Sequence, residues 1–358
     1  MRARQALRRP LLVRPDPAPR AHGAGALVAG TELSRETVVV ASGADAAYAR
    51  ALAVVARSIC RRLDPACALE LHVADGGLGD AGRTAVRAGL DARATVAWHA
   101  PPRACLAGLP VWGRMSPATY DKLLLLDSLA ELAERAIWLD ADLLVLDDLA
   151  ALWRSETAGR SALAAQDAVV PWLDSPFGLA ACEARRHPTR SKYFNAGVVV
   201  VDLARWRRER VVARAFDYLR RHRATVSFWD QEGLNASLAG DWGELEPRWN
   251  VNVDESLAGE LGAADPTRLR AAASILHFCG RQKPWRSLSS GSASVLYYEV
   301  LDETAAAGWR PGSTLAARLR ERYAGSRWRR GLRPVERLWM AWEHRATRRY
   351  LSAAELGE

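Results

Sequence analysis

Ile137-Trp138-Leu139-Asp140-Ala141-Asp142-Leu143-Leu144-Val145-Leu146 is the stretch on which the fold turns. Apolar residues run in from Ile137 to Leu139 and out from Leu143 to Leu146, with two carboxylates one residue apart between them. The first run reads as a buried parallel strand that ends at Asp140. Side chains alternate along extended backbone, so Asp140 and Asp142 are expected to point the same way. Two carboxylates facing one point repel unless a cation lies between them. Hard oxygen ligands at a strand end suit Mg²⁺ or Mn²⁺, usually shared with a ligand's phosphates. A solvated strand end accounts for the triplet equally well on local grounds, so the surrounding chain has to decide.

On the N-terminal side, residues 37–41 form a β-branched run closed by Ser42-Gly43, a first buried strand with its exit turn. Residues 44–62 have helical periodicity, with Tyr48, Leu52, Val55 and Ile59 on one face and Asp45 at the N-cap. A strand, a small-residue turn and a helix start form a common nucleotide pocket. No GxGxxG is present, and plain capping by Asp45 and a core role for Tyr48 remain open. Residues 69–74 and 94–98 read as the second and third strands, with a short helix over 81–90 between them. Strands alternating with helices argue for an α/β fold with a mostly parallel central sheet flanked by helices. Ser116-Pro117 starts a helix over 118–126, in which Lys122 is the lone cation and reads as a snorkelling surface lysine.

On the C-terminal side, a helix is expected from Asp147-Asp148-Leu149 through Trp153, and a strand over 161–166 closing at Asp167. Residues 168–191 read as a long loop of the kind that forms lids and binding surfaces. The valine run of 193–202 is a buried strand whose small, polar entry lets backbone approach a ligand. A surface helix is expected over 203–221, a helix opening at Trp229 with an acid in its first turn, an extended segment over 246–251, and a strand ending near His277. A lone histidine is more often structural, but imidazole completes an O/N metal site. Gly280 and Lys283 follow it, a turn and a counter-charge suited to phosphate. Spacing alone cannot bring His277 to Asp140 and Asp142, which lie over 130 residues earlier.

Composition bounds the alternatives. Hydrophobic residues make up 49% and charged residues 25%, which is globular. No run of eighteen apolar residues appears, and Leu11-Leu12-Val13 is short for a signal-peptide core, so the cytosol is expected. Five cysteines without a CxxC pair fit free thiols rather than a zinc or disulfide framework. The net charge of +9 sits at the ends: residues 1–36 hold seven Arg against three acids, and residues 318–358 eleven against five. A near-neutral body argues against a nucleic-acid surface. Residues 1–36 read as a mobile basic leader. In 318–358, Leu332, Val335, Leu338, Trp339, Trp342 and Tyr350 fall near one helical face among arginines. That pattern suits a basic aromatic tail on an anionic membrane surface, with a docked helix as the plain alternative.

Seven segments in order carry a resemblance: Asp45-Ala-Ala-Tyr48, Ala118-Thr-Tyr-Asp-Lys-Leu123, Trp138-Leu-Asp-Ala-Asp142, Tyr193-Phe-Asn-Ala-Gly197, Asp230-Gln231, Pro247-Arg-Trp-Asn250 and His277-Phe-Cys-Gly-Arg-Gln-Lys-Pro-Trp285. The chain resembles glycosyltransferase family 8, retaining enzymes of the GT-A fold that include glycogenin and bacterial lipopolysaccharide galactosyl- and glucosyltransferases. The resemblance implies a GT-A domain over 37–317 that moves a hexose from a UDP-sugar to a glycan, lipid-linked or other hydroxyl acceptor. It implies Mn²⁺, with Mg²⁺ as a substitute, on Asp140, Asp142 and His277. It implies donor contacts from Ala41, Asp45, Tyr48, Lys122, Asp140, Ala141, Asn195, Ala196, Gly280 and Lys283, and a catalytic set of Gln231, Asp230 and Asp167. Lys122 stands where the family usually has arginine, losing bidentate phosphate binding, and Ala47 where a polar ribose contact is common. Those departures leave a catalytically impaired nucleotide-sugar-binding protein as one rival. A haloacid-dehalogenase-type phosphatase, with Asp140 as nucleophile, is the other; there His277 and Lys283 have no role.

Overall fold

The computed structural model describes residues 35–111, 116–253, 265–279, 283–286, 288 and 291–312. The elements run β1 (Glu36–Ala44), α1 (Ala49–Arg62), β2 (Cys67–Asp75), α2 (Gly79–Gly89), β3 (Ala94–His99), α3 (Asp121–Leu129), β4 (Arg135–Leu139), β5 (Leu143–Val145), α4 (Leu149–Trp153) and β6 (Ala162–Gln166). They continue with α5 (Ala181–Ala184), β7 (Phe194–Asp202), α6 (Leu203–Arg208), α7 (Val211–Arg221), α8 (Trp229–Leu238), β8 (Trp242–Glu244), β9 (Val251–Asn252), α9 (Pro266–Ala272), β10 (Ile275–His277) and α10 (Ser292–Leu301). The main sheet has the order β3-β2-β1-β4-β7-β6-β8. Its first four strands are parallel, β7 is antiparallel to both neighbours, and β8 runs parallel to β6. The expected mostly parallel sheet is therefore present, with β7 reversed through its middle.

Alternation along each strand sends apolar residues to both faces, as a covered sheet requires. Val38, Val40, Leu69, Leu71 and Ile137 face α1, while Val39, Ala41, Trp138 and Val199 face α3 and α7. Helix α1 is buried on two sides: Leu52, Val55 and Ile59 meet the main sheet, while Ala51 and Val54 meet a second cluster around Leu144, Leu276 and α10. Its C-terminal carbonyls are met by Arg93, whose guanidinium donates to Cys60 O, Leu63 O and Asp64 O.

That second cluster underlies a small sheet of order β5-β10-β9, too short in each strand to leave a periodic trace in the sequence. Its register decides the site. His277 pairs with Leu143 in the antiparallel β10–β5 ladder and with Asn252 in the parallel β10–β9 ladder. Asp142 and Asn250 each lie within two residues of those partners, so the ladders carry both toward His277.

Several expectations change. Asp140 to Asp142 is a turn between β4 and β5, so the turn rather than strand alternation brings the carboxylates together. Residues 203–221 form two helices, α6 and α7, broken at Arg210 in the left-handed region (φ 54°). Both lie at the surface with an exposed arginine face (Arg207, Arg208, Arg214, Arg220), and they bury Trp206, Val211, Ala215 and Leu219 completely on the other. Residues Pro247–Asn250 form a 3₁₀ turn instead of an extended run. Ser116 and Pro117 start their helix as expected, but through a 3₁₀ turn (Pro117–Tyr120) ahead of α3. Among the described residues no helix is long and apolar enough to cross a membrane. The expectations for the leader, for the 318–358 tail and for Gly280 lie outside the described residues, apart from Arg35 and Glu36.

Candidate functional site

One ligand atom from each of Asp140, Asp142 and His277 falls within 4.8 Å of the others. The backbone holds this convergence: Asp140 N donates to Gly197 O and Phe278 N to Asp142 O, both at 2.9 Å. His277 Nε2 lies 3.3 Å from Asp142 Oδ1. Two hard oxygens and one imidazole nitrogen fit a divalent ion such as Mn²⁺ or Mg²⁺.

Each carboxylate also carries a lysine. Lys122 Nζ lies 3.0 Å from Asp140 Oδ1 and 2.8 Å from Asp230 Oδ2, and it donates to Ala196 O at 2.9 Å. Lys122 is thus a buried bridge rather than a snorkelling surface lysine. Burial pulls its pKa down, but Asp140 and Asp230 outweigh that and hold it above its ordinary value. Lys283 Nζ lies 2.5 Å from Asp142 Oδ2 and also donates to Phe278 O. Burial pushes the Asp142 carboxyl up, yet Lys283 and His277 outweigh it and hold it well below the carboxylate range. Burial opposes charge on His277, and Cys279 and Asp142 outweigh burial, so its pKa is raised; metal uptake there would displace a proton. Asp140 further accepts from Trp138 Nε1 at 2.6 Å.

Cys182, Glu183 and His222 also come within ligand distance. Glu183 is paired there with Arg186 (3.0 Å) and Arg221 (3.1 Å), an excess of positive charge. Three acids face two lysines and the protonated His277 ring, and the Asp140–Asp142 site turns negative once metal uptake displaces that proton, so it is the better cation site.

Beside the carboxylates, the entry of β7 meets the start of α8. Ala196 N donates to Gln231 Oε1 at 3.0 Å, and Gln231 Nε2 donates to Asp167 Oδ2 at 3.1 Å. A donor-only amide and an acceptor-only carboxylate fix which end of the Gln231 amide faces which way. Helix α8 is pinned by Asn235, which exchanges two hydrogen bonds with the Phe194 backbone where the β6–β7 register shifts. Trp229, just before Asp230, has φ 37°, a strained conformation at the head of the helix that aims Asp230 and Gln231.

Asp167 is placed at this site. Its oxygens take four N–H donors, from Val169, Val170, Asn195 and Gln231, which fills a carboxylate. It orients Asn195 and Gln231. Ala41 is a correction: it is wholly buried, with its backbone in ladders to β2 and β4, and it offers no ligand contact. Ala141 is buried between the two aspartates. Asp45 does not cap α1; its Oδ1 accepts from Ala47 N and Tyr48 N in the turn before the helix. Tyr48 borders the site, with Trp285 edge-on at 5.7 Å and the Arg286 guanidinium 5.5 Å from its ring centroid.

Four contributors carry no role in the sequence reading. Asn250 bonds both His277 and Asn195. Thr119 Oγ1 donates to Asp230 at 2.7 Å. Gly197 leaves the space His277 fills, since a Cβ there would lie 2.2 Å from His277 Cε1. Arg286 stands over Tyr48. Asn250, Thr119 and Gly197 do lie within the matched segments, so position flagged them without a mechanism.

A family model described as Glycosyl transferase family 8 matches residues 39–289, which include this whole constellation. The chain belongs to glycosyl transferase family 8. Among relatives of the family 8 chain, General stress protein A of Bacillus subtilis is 28% identical over 283 residues, covering 75% of this chain and 94% of that protein. Probable galacturonosyltransferase-like 3 of Arabidopsis thaliana is 31% identical over 187 residues, covering 49% of this chain and 52% of that protein. The chain thus spans about half the length of that plant relative. The solved structure of galactosyltransferase LgtC with donor and acceptor sugar analogs superposes with a TM-score of 0.61 at 24% identity, over 75% of this chain and 96% of that one. The bifunctional glycosyltransferase WbbM superposes at 0.60 and 19% identity, over 78% and 52%. These likenesses give the family 8 chain the GT-A fold. Membership makes it a glycosyltransferase and replaces the phosphatase alternative.

Proposed function

We propose that this glycosyltransferase moves a hexose, galactose or glucose, from a UDP-sugar to a hydroxyl of a glycan or lipid-linked acceptor, with Mn²⁺ and with retention of the anomeric configuration. The observation that carries this reading is the convergence of Asp140, Asp142 and His277 within 4.8 Å, beside Lys283 and the fixed amide of Gln231. A divalent ion bound there supplies a Lewis acid for the charge that builds on the leaving diphosphate. Lys283 adds positive charge beside it. Asp45 would accept the uracil N–H and Tyr48 would stack on the base. Asn195, Ala196 and Asp230 would border the hexose.

Gln231 Oε1 presents a partial negative charge held in place by Ala196 N–H. It lacks the nucleophilicity of the carboxylate that retaining glycosidases use. The acceptor hydroxyl is therefore expected to attack on the face that UDP leaves. Gln231→Ala should slow turnover without azide rescue; an azide adduct of inverted configuration would overturn this assignment.

The complete commitment of Lys122 to Asp140, Asp230 and Ala196 favours the second reading, an impaired nucleotide-sugar binder. Screening UDP-galactose, UDP-glucose and, given the plant relatives' names, UDP-galacturonate for Mn²⁺-dependent UDP release separates the two. Release that Asp142→Asn abolishes supports the enzyme; Mn²⁺-dependent binding without release supports the binder. For residues 318–358, the arginine-flanked tryptophans support contact with an anionic membrane, tested by flotation with acidic liposomes before and after truncation behind Ala317.

A further inference from the structure

We propose that Asn250 is a positioning residue that fixes which nitrogen of His277 faces the metal site and ties that choice to the hexose pocket. The inference rests on the metal-dependent reading above and deepens it.

The hydrogen-bond directions follow one another from an end that can only accept. The Asp167 carboxylate takes Asn195 Nδ2–H at 2.8 Å, so Asn195 must turn its Oδ1 the other way. Gly197 N–H confirms that orientation by donating to Asn195 Oδ1 at 2.9 Å. Asn250 also meets Asn195 Oδ1 at 2.9 Å and must do so through Nδ2–H. Its own Oδ1 is then the atom 2.9 Å from His277 Nδ1, and an acceptor there keeps the proton on Nδ1. Nε2, 3.3 Å from Asp142 Oδ1, is then the nitrogen that gives up its proton and turns its lone pair to an entering metal. A ring nitrogen whose partner is held by an acceptor is oriented and made more basic toward a metal.

Asparagine is the side chain this position needs, because it is an acceptor at one end and a donor at the other. Aspartate would still accept from His277 Nδ1–H but would set oxygen against Asn195 Oδ1. Alanine would leave both neighbours without that bond. The two variants therefore separate the two halves of the relay.

The test measures Mn²⁺ binding to the full chain without nucleotide, by loss of the free-ion electron paramagnetic resonance signal, together with kcat for UDP release from the UDP-hexose the protein turns over. Asn250→Ala should weaken Mn²⁺ binding by about 10- to 100-fold. Asn250→Asp should bind Mn²⁺ within about threefold of wild type, or more tightly, yet lose at least about tenfold in kcat through the displaced Asn195. Mn²⁺ binding by Asn250→Ala equal to wild type would overturn the proposal, as would equal Mn²⁺ losses in the two variants. Full kcat in Asn250→Asp would overturn the tie to the hexose pocket. Wild-type protein that binds Mn²⁺ in this Asn250-dependent way but releases UDP from no donor would leave the relay standing and refute the transfer reading instead.

Discussion

Substituting Gly197 by alanine perturbs the metal site through a single methyl group. The new Cβ would lie 2.2 Å from His277 Cε1, 2.7 Å from Nδ1 and 3.1 Å from Asn195 Oδ1. Carbon atoms in contact keep about 3.5–4.0 Å, so the imidazole must retreat by more than an ångström. Strand β7 cannot give way easily, because β4 and β6 hold it on both sides. The ring therefore moves, and Nε2 leaves its place beside Asp142. Overpacking of this kind costs about 1–3 kcal/mol, enough to lower Tm by about 2–5 °C in a domain of this size. Misplacing a reacting group by about an ångström costs on the order of 100-fold in rate. Gly243→Ala is the control: its Cβ would lie 2.6 Å from Leu163 Cδ2, a comparable overpacking on the β6–β8 pair. Calorimetry should show both variants destabilised, while only Gly197→Ala loses Mn²⁺ affinity (at least about tenfold) and UDP release. Mn²⁺ affinity and turnover within twofold of wild type in Gly197→Ala would refute the placement of His277.

Lys283→Ala should act with opposite signs: Mn²⁺ alone binds a few-fold more tightly once the ammonium leaves Asp142, whereas UDP in the presence of Mn²⁺ binds at least about tenfold more weakly. Calorimetric titrations showing both affinities falling together would sink that reading. Lys122→Met strands Asp140 and Asp230 around a buried space, and urea unfolding should show a loss of about 3 kcal/mol; an unchanged midpoint would contradict the bridge. His99, buried and bonded to His72, has its pKa pulled from 6.5 to about 4 by desolvation and then by His72. Because the unfolded chain takes up that proton first, stability present above pH 6.5 is lost as pH falls toward about 4, by about 3 kcal/mol. Urea midpoints measured across that window should flatten in His99→Gln, and an unchanged slope would assign the loss elsewhere.

The parallel half of the fold is legible in the sequence because its strands are long and β-branched and its helices carry clear apolar faces, as in 37–41 and 44–62. The small sheet is not legible. Leu143–Val145, Val251–Asn252 and Ile275–His277 are too short to show a period, yet their register joins Asp142, Asn250 and His277. Lys122 reads as a surface residue locally because the acids that pair with it, Asp140 and Asp230, come from two other elements. Gly197 marks a motif in the sequence, but its reason is an imidazole eighty residues later. The break at Arg210 escapes detection because a left-handed arginine leaves no residue-type signal comparable to glycine.

UDP release from a UDP-hexose, compared between wild type and His277→Ala over a range of Mn²⁺, tests the metal site most directly. The account predicts turnover in wild type that chelation abolishes, and a loss of on the order of 100-fold in His277→Ala at limiting Mn²⁺. Turnover that survives chelation, or that is equal in the two proteins across the whole Mn²⁺ range, would contradict it.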